Sequence, residues 1–377
     1  MKKHKIINIL IATFILLILT ACAPSEPSPT PTQTEPPPPT PTDTPLPTEA
    51  PTPTPIRTPP DLPGMYQSSY LDPGVMPHIY INDACQYLKM KWDPNNSEPG
   101  TVVMVIMFHA IIDGGVTEGN AISKKGFNKM METLKQQGYE AIDMEQLANF
   151  LESNAKIPLQ SVLLLVDDRH YNQYFNNHFR PYWEDWGWPV VNAWISHPET
   201  TADLWQQQEA LNAEGWVDYQ AHGVIHTYGI NYMSDDANVL TELQGSITAF
   251  QEHFNKTPIA FIWPGGNFTP RAVELARETG YRLGFTVNGR GPIMFNWVPL
   301  ADAYDPSHPS VIEEGPVGDP LMVLPRYWPI NVNENLDKIR VMSREAADLA
   351  EANKAVELEF YDIVCAPAYG PIPTLAP

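Results

Sequence analysis

Ser161-Val-Leu-Leu-Leu-Val166-Asp167-Asp168-Arg169 is an unbroken apolar run that closes on two adjacent carboxylates. Apolar residues at every position predict a strand buried on both faces, the habit of a parallel sheet covered by helices. A second run, Val102-Val-Met-Val-Ile-Met-Phe108, ends in His109. A third segment, Trp216-Val-Asp-Tyr-Gln-Ala221, ends in His222-Gly-Val-Ile-His226. Polar residues gathered after buried strands are where an α/β barrel keeps its chemistry.

Outward from these strands the pattern alternates. Phe127, Met130, Met131 and Leu134 recur at helical spacing within 123–138, with Ser123 as cap and Gly138 as stop. A short strand over 139–142 and a helix over 144–151 follow. The next elements are helix 171–186, strand 190–195, helix 201–213, helix 237–254 and strand 259–262. Helix 270–279 starts with Thr269 and Pro270 and stops at Gly280, the usual asymmetry of helix ends. Strands over 285–287 and 321–324 and an amphipathic helix over 334–354 complete the series. The class is α/β with a mainly parallel sheet, closed or nearly closed.

The ends of the chain read differently. Lys2-Lys3-His4-Lys5 precedes an apolar run from Ile6 to Leu19, shorter than the roughly 20 residues of a membrane-spanning helix, which predicts a signal peptide over 1–21. Leu19-Thr20-Ala21-Cys22 resembles the bacterial lipoprotein box, and that resemblance implies lipid on Cys22. Residues 22–63 are Pro- and Thr-rich and hold too few apolar side chains for a core, so a disordered linker is expected. An extension over 64–100, one barrel over 101–332 and a helix and tail over 333–377 account for the rest.

The chain of 377 residues carries 44 acidic against 23 Lys and Arg, a formal net charge of −21. That charge excludes nucleic acid as an expected partner, and it leaves the lipid, not a basic patch, as the link to a membrane. A monomer is expected. Beyond Cys22 only Cys85 and Cys365 remain, either as a disulfide tying the ends of the folded region or as two buried thiols.

A metal site that activates water needs three protein ligands and one open position. Asp168, His222 and His226 supply a carboxylate and two imidazoles, and Asp167 is left free to take a proton. Trp183, Trp186, Trp188 and Trp194 read as core first and as a sugar-stacking surface second.

Five stretches over about 102–330 carry a resemblance to the polysaccharide deacetylases, the family-4 carbohydrate esterases. Phe108-His109-Ala-Ile111 is similar to their opening Y-H-x-[IV], Val166-Asp167-Asp168-Arg169 to T-F-D-D-G, and His222-Gly-Val-Ile-His226 to H-[ST]-x-x-H. Phe261-Ile-Trp263-Pro264-Gly-Gly-Asn267 resembles F-x-Y-P-x-G-x-[YF], and Leu324-Pro325-Arg326 resembles L-P-R. The resemblance implies a deformed (β/α) barrel of about seven strands. It implies removal of N-acetyl or O-acetyl groups from a cell-surface or extracellular glycan, such as exopolysaccharide or peptidoglycan, with zinc or another divalent metal. Asp167 becomes the base, Asp168, His222 and His226 the ligands, and His109 the acid, since no late L-H motif is present. Trp263, Pro264, Arg326 and Arg169 become candidate substrate contacts. The stretches depart from the family at Arg169 and Gly223, where Gly and Ser or Thr are usual. The usual Arg brace for the base is also absent from its motif, leaving Arg326 or Arg169 for that place. Arg169 beside the base and the missing late His suggest the alternative, a catalytically weak glycan-binding lipoprotein. The expected location is outside the cytoplasm, on a bacterial membrane.

Overall fold

Every residue from Val102 to Phe108 is buried, and alternate side chains feed two apolar clusters. Val103 and Val105 enter one and Val102, Met104, Ile106 and Phe108 the other, as period-two alternation across a covered sheet requires. The computed structural model describes residues 57–116, 119–226, 230–304 and 312–374. The expected signal peptide, Cys22 and most of the linker lie outside these residues.

In chain order the elements are β1 (Val75–His78), α1 (Ala84–Trp92), β2 (Val102–Phe108), β3 (Ala110–Ile112), β4 (Ala121–Ser123), α2 (Lys124–Gln136), β5 (Glu140–Ala141) and α3 (Met144–Ser153). Then come β6 (Gln160–Asp167), α4 (Asn172–His178), α5 (Arg180–Trp186), β7 (Val190–Trp194), α6 (Ala202–Glu214), β8 (Val217–Ala221) and α7 (Asp236–Phe254). The chain finishes with β9 (Ala260–Ile262), α8 (Pro270–Glu278), β10 (Leu283–Phe285), β11 (Ile293–Met294), β12 (Val298–Ala301), α9 (Val332–Phe360) and α10 (Ala366–Tyr369). The main sheet runs β10-β9-β8-β7-β6-β2-β11, with β5 also on β6. All its pairings are parallel except β11 on β2. It curls into the seven-stranded half-barrel of an α/β fold.

Residues 324–327 close the curl without forming a strand of their own. Leu324 N–H donates to Gly284 O and Thr286 N–H to Leu324 O, which joins this segment to the β10 side. Tyr327 N–H donates to Val105 O and Met107 N–H to Tyr327 O, which joins it to β2. Pro325 between them has no N–H, so the ladder changes sides across it. The strand expected over 321–324 is therefore a 3-10 turn, Pro320–Met322, followed by this two-sided bridge.

The expected helix over 171–186 is two helices. Phe179 breaks it and Pro181 sits in the first turn of α5, where its missing N–H costs nothing. The last strand of the parallel set falls at 283–285 instead of 285–287. Caps behave as read: Ser123 accepts from Gly126 N–H and Thr269 from Ala272 N–H, and α3 adds a capping box between Asp143 and Gln146. Among the described residues no helix is long and apolar enough to cross a membrane.

Cys85 in α1 is bonded to Cys365 in the π-helical turn (Tyr361–Cys365) after α9, 280 residues away. Closing so long a loop restricts the unfolded chain by about 5 kcal/mol in the chain-entropy view. Replacing both cysteines by Ala is expected to lower stability by about 2–5 kcal/mol. Chemical denaturation under oxidising conditions checks this, and an unchanged midpoint would contradict it.

Candidate metal centre

The polar residues at the C-terminal ends of β2, β6 and β8 meet at one end of the sheet. Ligand atoms of Asp168, His222 and His226 all lie within 4.8 Å of one another. Asp168 Oδ1 is 3.9 Å from His222 Nε2 and 4.0 Å from His226 Nε2, and the two Nε2 atoms stand 3.1 Å apart.

Adjacent residues on a strand point to opposite faces, yet Asp167 and Asp168 both approach His222. The chain resolves this by leaving the extended conformation: Asp168 has φ +74°, which turns its carboxylate back beside that of Asp167. His226 has φ +58°. The other non-glycine residues at positive φ among those described are asparagines, which tolerate that region well. Left-handed backbone at both residues is local strain held by the surrounding structure.

His222 has one ring nitrogen engaged by the backbone and the other facing the cluster. Its Nδ1 lies 2.8 Å from Ile262 O, an acceptor only, so Nδ1 carries the proton and Nε2 presents a lone pair. Burial pushes its pKa well below the usual histidine range, His226 adds to that and Asp167 opposes it, so the ring is neutral at pH 7. One carboxylate and two imidazoles with this shared focus fit a divalent cation.

Asp167, at the end of β6, is buried. Arg326 Nη1 donates to both its oxygens, at 2.7 and 2.9 Å, and Arg326 Nε donates to Thr286 O. Oδ2 also faces His109 Nε2 at 3.5 Å and His222 Nε2 at 4.0 Å. Burial alone raises the carboxyl's pKa, but Arg326, His222 and His109 together outweigh it and hold Asp167 below the ordinary carboxylate range. His109 in turn stacks on Trp328, ring centroids 5.3 Å apart.

Of the expected substrate contacts, Trp263, Pro264 and Arg326 are buried and Arg169 is exposed. Trp263 is fully buried against Phe261 and donates its Nε1 to Met322 O at 2.7 Å. Pro264 is buried in the turn beneath His222–His226. Arg326 is fully buried and braces Asp167. Arg169 is exposed and its Nη1 donates to Thr200 Oγ1 at 3.2 Å. Trp188 and Trp194 are core, and Trp183 and Trp186 pack against the same cluster. No sequence signal pointed to Trp328, although it stands two residues after Leu324-Pro325-Arg326.

Fold and centre define a curled α/β protein with a carboxylate and bis-imidazole site at its strand ends. Residues 158–284 match the family model described as polysaccharide deacetylase. A curated relative, "Putative polysaccharide deacetylase YxkH" of Bacillus subtilis (strain 168), is 22% identical over 186 residues. That match takes in 48% of this chain and 63% of the relative, so less than two thirds of the relative's length is spanned. Among solved structures, the Streptococcus pyogenes deacetylase PplD in complex with acetate is 20% identical, with TM-score 0.49 over 63% of this chain and 98% of that one. IcaB from Ammonifex degensii is 17% identical, with TM-score 0.47 over 65% and 97%.

Removing Arg326 strands a buried charge, which typically costs about 3–5 kcal/mol. Asp167's folded pKa is depressed, so its pair stabilises the wild type above the unfolded value near 3.8 and is lost below it. In Arg326→Met the sign reverses, because burial without a counter-charge favours the protonated acid. The stability gap between variant and wild type is therefore expected to be largest at pH 7 and to shrink toward pH 4, measured by denaturation of the metal-free protein. A gap independent of pH would contradict the assignment.

Proposed function

We propose that this chain is a metal-dependent hydrolase that removes N-acetyl, or O-acetyl, groups from a cell-surface or extracellular glycan. The convergence of Asp168, His222 and His226 beside the Arg-paired Asp167 carries the reading. In it, Asp168, His222 and His226 hold the cation, with zinc the first choice for this donor set. A cation there supplies Lewis acidity, which polarises an acyl carbonyl and makes water a better nucleophile.

The side chains do the proton work. Asp167, kept ionised by Arg326, takes a proton from the attacking water through Oδ2, the oxygen nearer both histidines. His109, backed by Trp328, protonates the departing nitrogen, so that an acetamide yields acetate and a free amine. Arg326 does not itself meet substrate in this scheme; its full burial suits a residue that orients and charges the base. Arg169 turns to Thr200, which leaves the approach to Asp167 clear of it. The chain acts as a monomer on the outer side of a bacterial membrane, held by lipid on Cys22 through the Pro- and Thr-rich linker. That part of the proposal rests on the sequence.

Acetate release from N-acetylglucosamine oligomers and from O-acetylated glycan is the test. Release is expected to stop with a chelator, to return with added zinc, and to fall about 10²–10⁴-fold in Asp167→Asn. No release from either substrate class by metal-loaded protein would overturn the proposal.

A further inference from the structure

The turn that joins His222 to His226 is held from two sides. His222 N–H donates to Trp194 O at 3.0 Å and Ser196 N–H to Gly223 O at 2.9 Å, so its start continues the ladder between β7 and β8. Its next two amides leave the sheet and donate to one carboxylate, that of Glu242 on α7. Ile225 N–H lies 3.1 Å from both Glu242 oxygens, and Val224 N–H is bonded to Oε2.

Two glycines make room for this contact. Gly223 has φ +82°, and a Cβ there would collide with Glu242 Oε2. Gly245, three residues after Glu242 on the same helix, faces Val224, whose Cγ2 would lie 2.8 Å from a Cβ at that position. Glycine inside a helix is otherwise unfavourable. One face of α7 therefore receives the turn twice, its backbone on Glu242 and its Val224 side chain over Gly245. The space a side chain at position 223 would need is taken by a carboxylate from another element.

We propose that Glu242 is a positioning residue for the histidine pair. By clamping the amides of Val224 and Ile225 it fixes the path into His226, whose left-handed backbone sets its Nε2 3.1 Å from that of His222. A charged acceptor on two neighbouring amides is a strong, directional restraint. Glu242 acts through the backbone, so its loss leaves all three ligand side chains in the chain and changes only how well they are ordered before the cation arrives. The inference rests on the metal reading above. Contacts of this outer kind typically change metal affinity 10–100-fold.

The experiment measures Co²⁺ affinity of the full chain by chelator competition, with the Co²⁺ absorption spectrum, and amide hydrogen exchange of Val224 and Ile225 in metal-free protein. Glu242→Ala is expected to weaken Co²⁺ binding 10–100-fold, alter the spectrum and speed exchange at both amides. Glu242→Gln, which keeps one accepting oxygen and the side-chain shape, is expected to recover most of the affinity. Should the Ala variant fail to fold, the Gln variant carries the test through a few-fold loss and faster exchange. Wild-type affinity and exchange in the folded variants would overturn this inference alone. A wild-type chain that binds no divalent cation would overturn the metal reading and this inference with it.

Discussion

The buried pair of Asp167 and Arg326 is the constraint on which the centre depends. Two charges taken out of water carry a desolvation cost that only close, multiple hydrogen bonds offset. Both Asp167 oxygens accept from one Arg326 nitrogen, and the guanidinium's Nε is bonded to Thr286 O. Arg326 reaches this place because Leu324 and Tyr327 are tied to β10 and β2 respectively. Closing the curled sheet and keeping Asp167 ionised are thus one structural event. Anything that loosens residues 324–327 exposes the carboxylate to water or strands it without a partner.

The same economy recurs around the other members of the site. His222 has its proton position set by Ile262 O at the end of β9, and His109 is steadied by the face of Trp328. Asp168 and His226 occupy left-handed backbone, so both side chains depend on restraints outside their own strands. A site whose side chains are aimed by neighbouring strand ends, and by α7 beneath the histidine turn, can be ordered before any ligand binds. Such preorganisation is where electrostatic catalysis gains most of its effect.

Much of this was legible in the chain. The runs over 102–108 and 161–167 read as buried strands because every position is apolar, and the carboxylates and imidazoles after them stand at the expected strand ends. The helix break at Phe179 was not legible, since helical spacing continues through it and only Pro181 hints at the junction. The strand expected over 321–324 is a turn: an apolar segment looks alike in sequence whether it pairs or turns, and the bridging part of residues 324–327 depends on partners distant in sequence. Trp263 was read as a substrate contact by position in a motif, whereas the fold buries it under Met322.

Local properties explain what the sequence by itself determined: the alternation of strand and helix, the α/β class, and the donor types assembled at the strand ends. Apolar periodicity and capping act within a few residues, so they can be read in order along the chain. Tertiary structure alone decided which arginine serves Asp167, because Arg169 is two residues away and turns to Thr200 while Arg326, 159 residues distant, enters the bond. It also decided that Gly223 makes room for Glu242. Both choices depend on distances that exist only after the sheet has curled and closed.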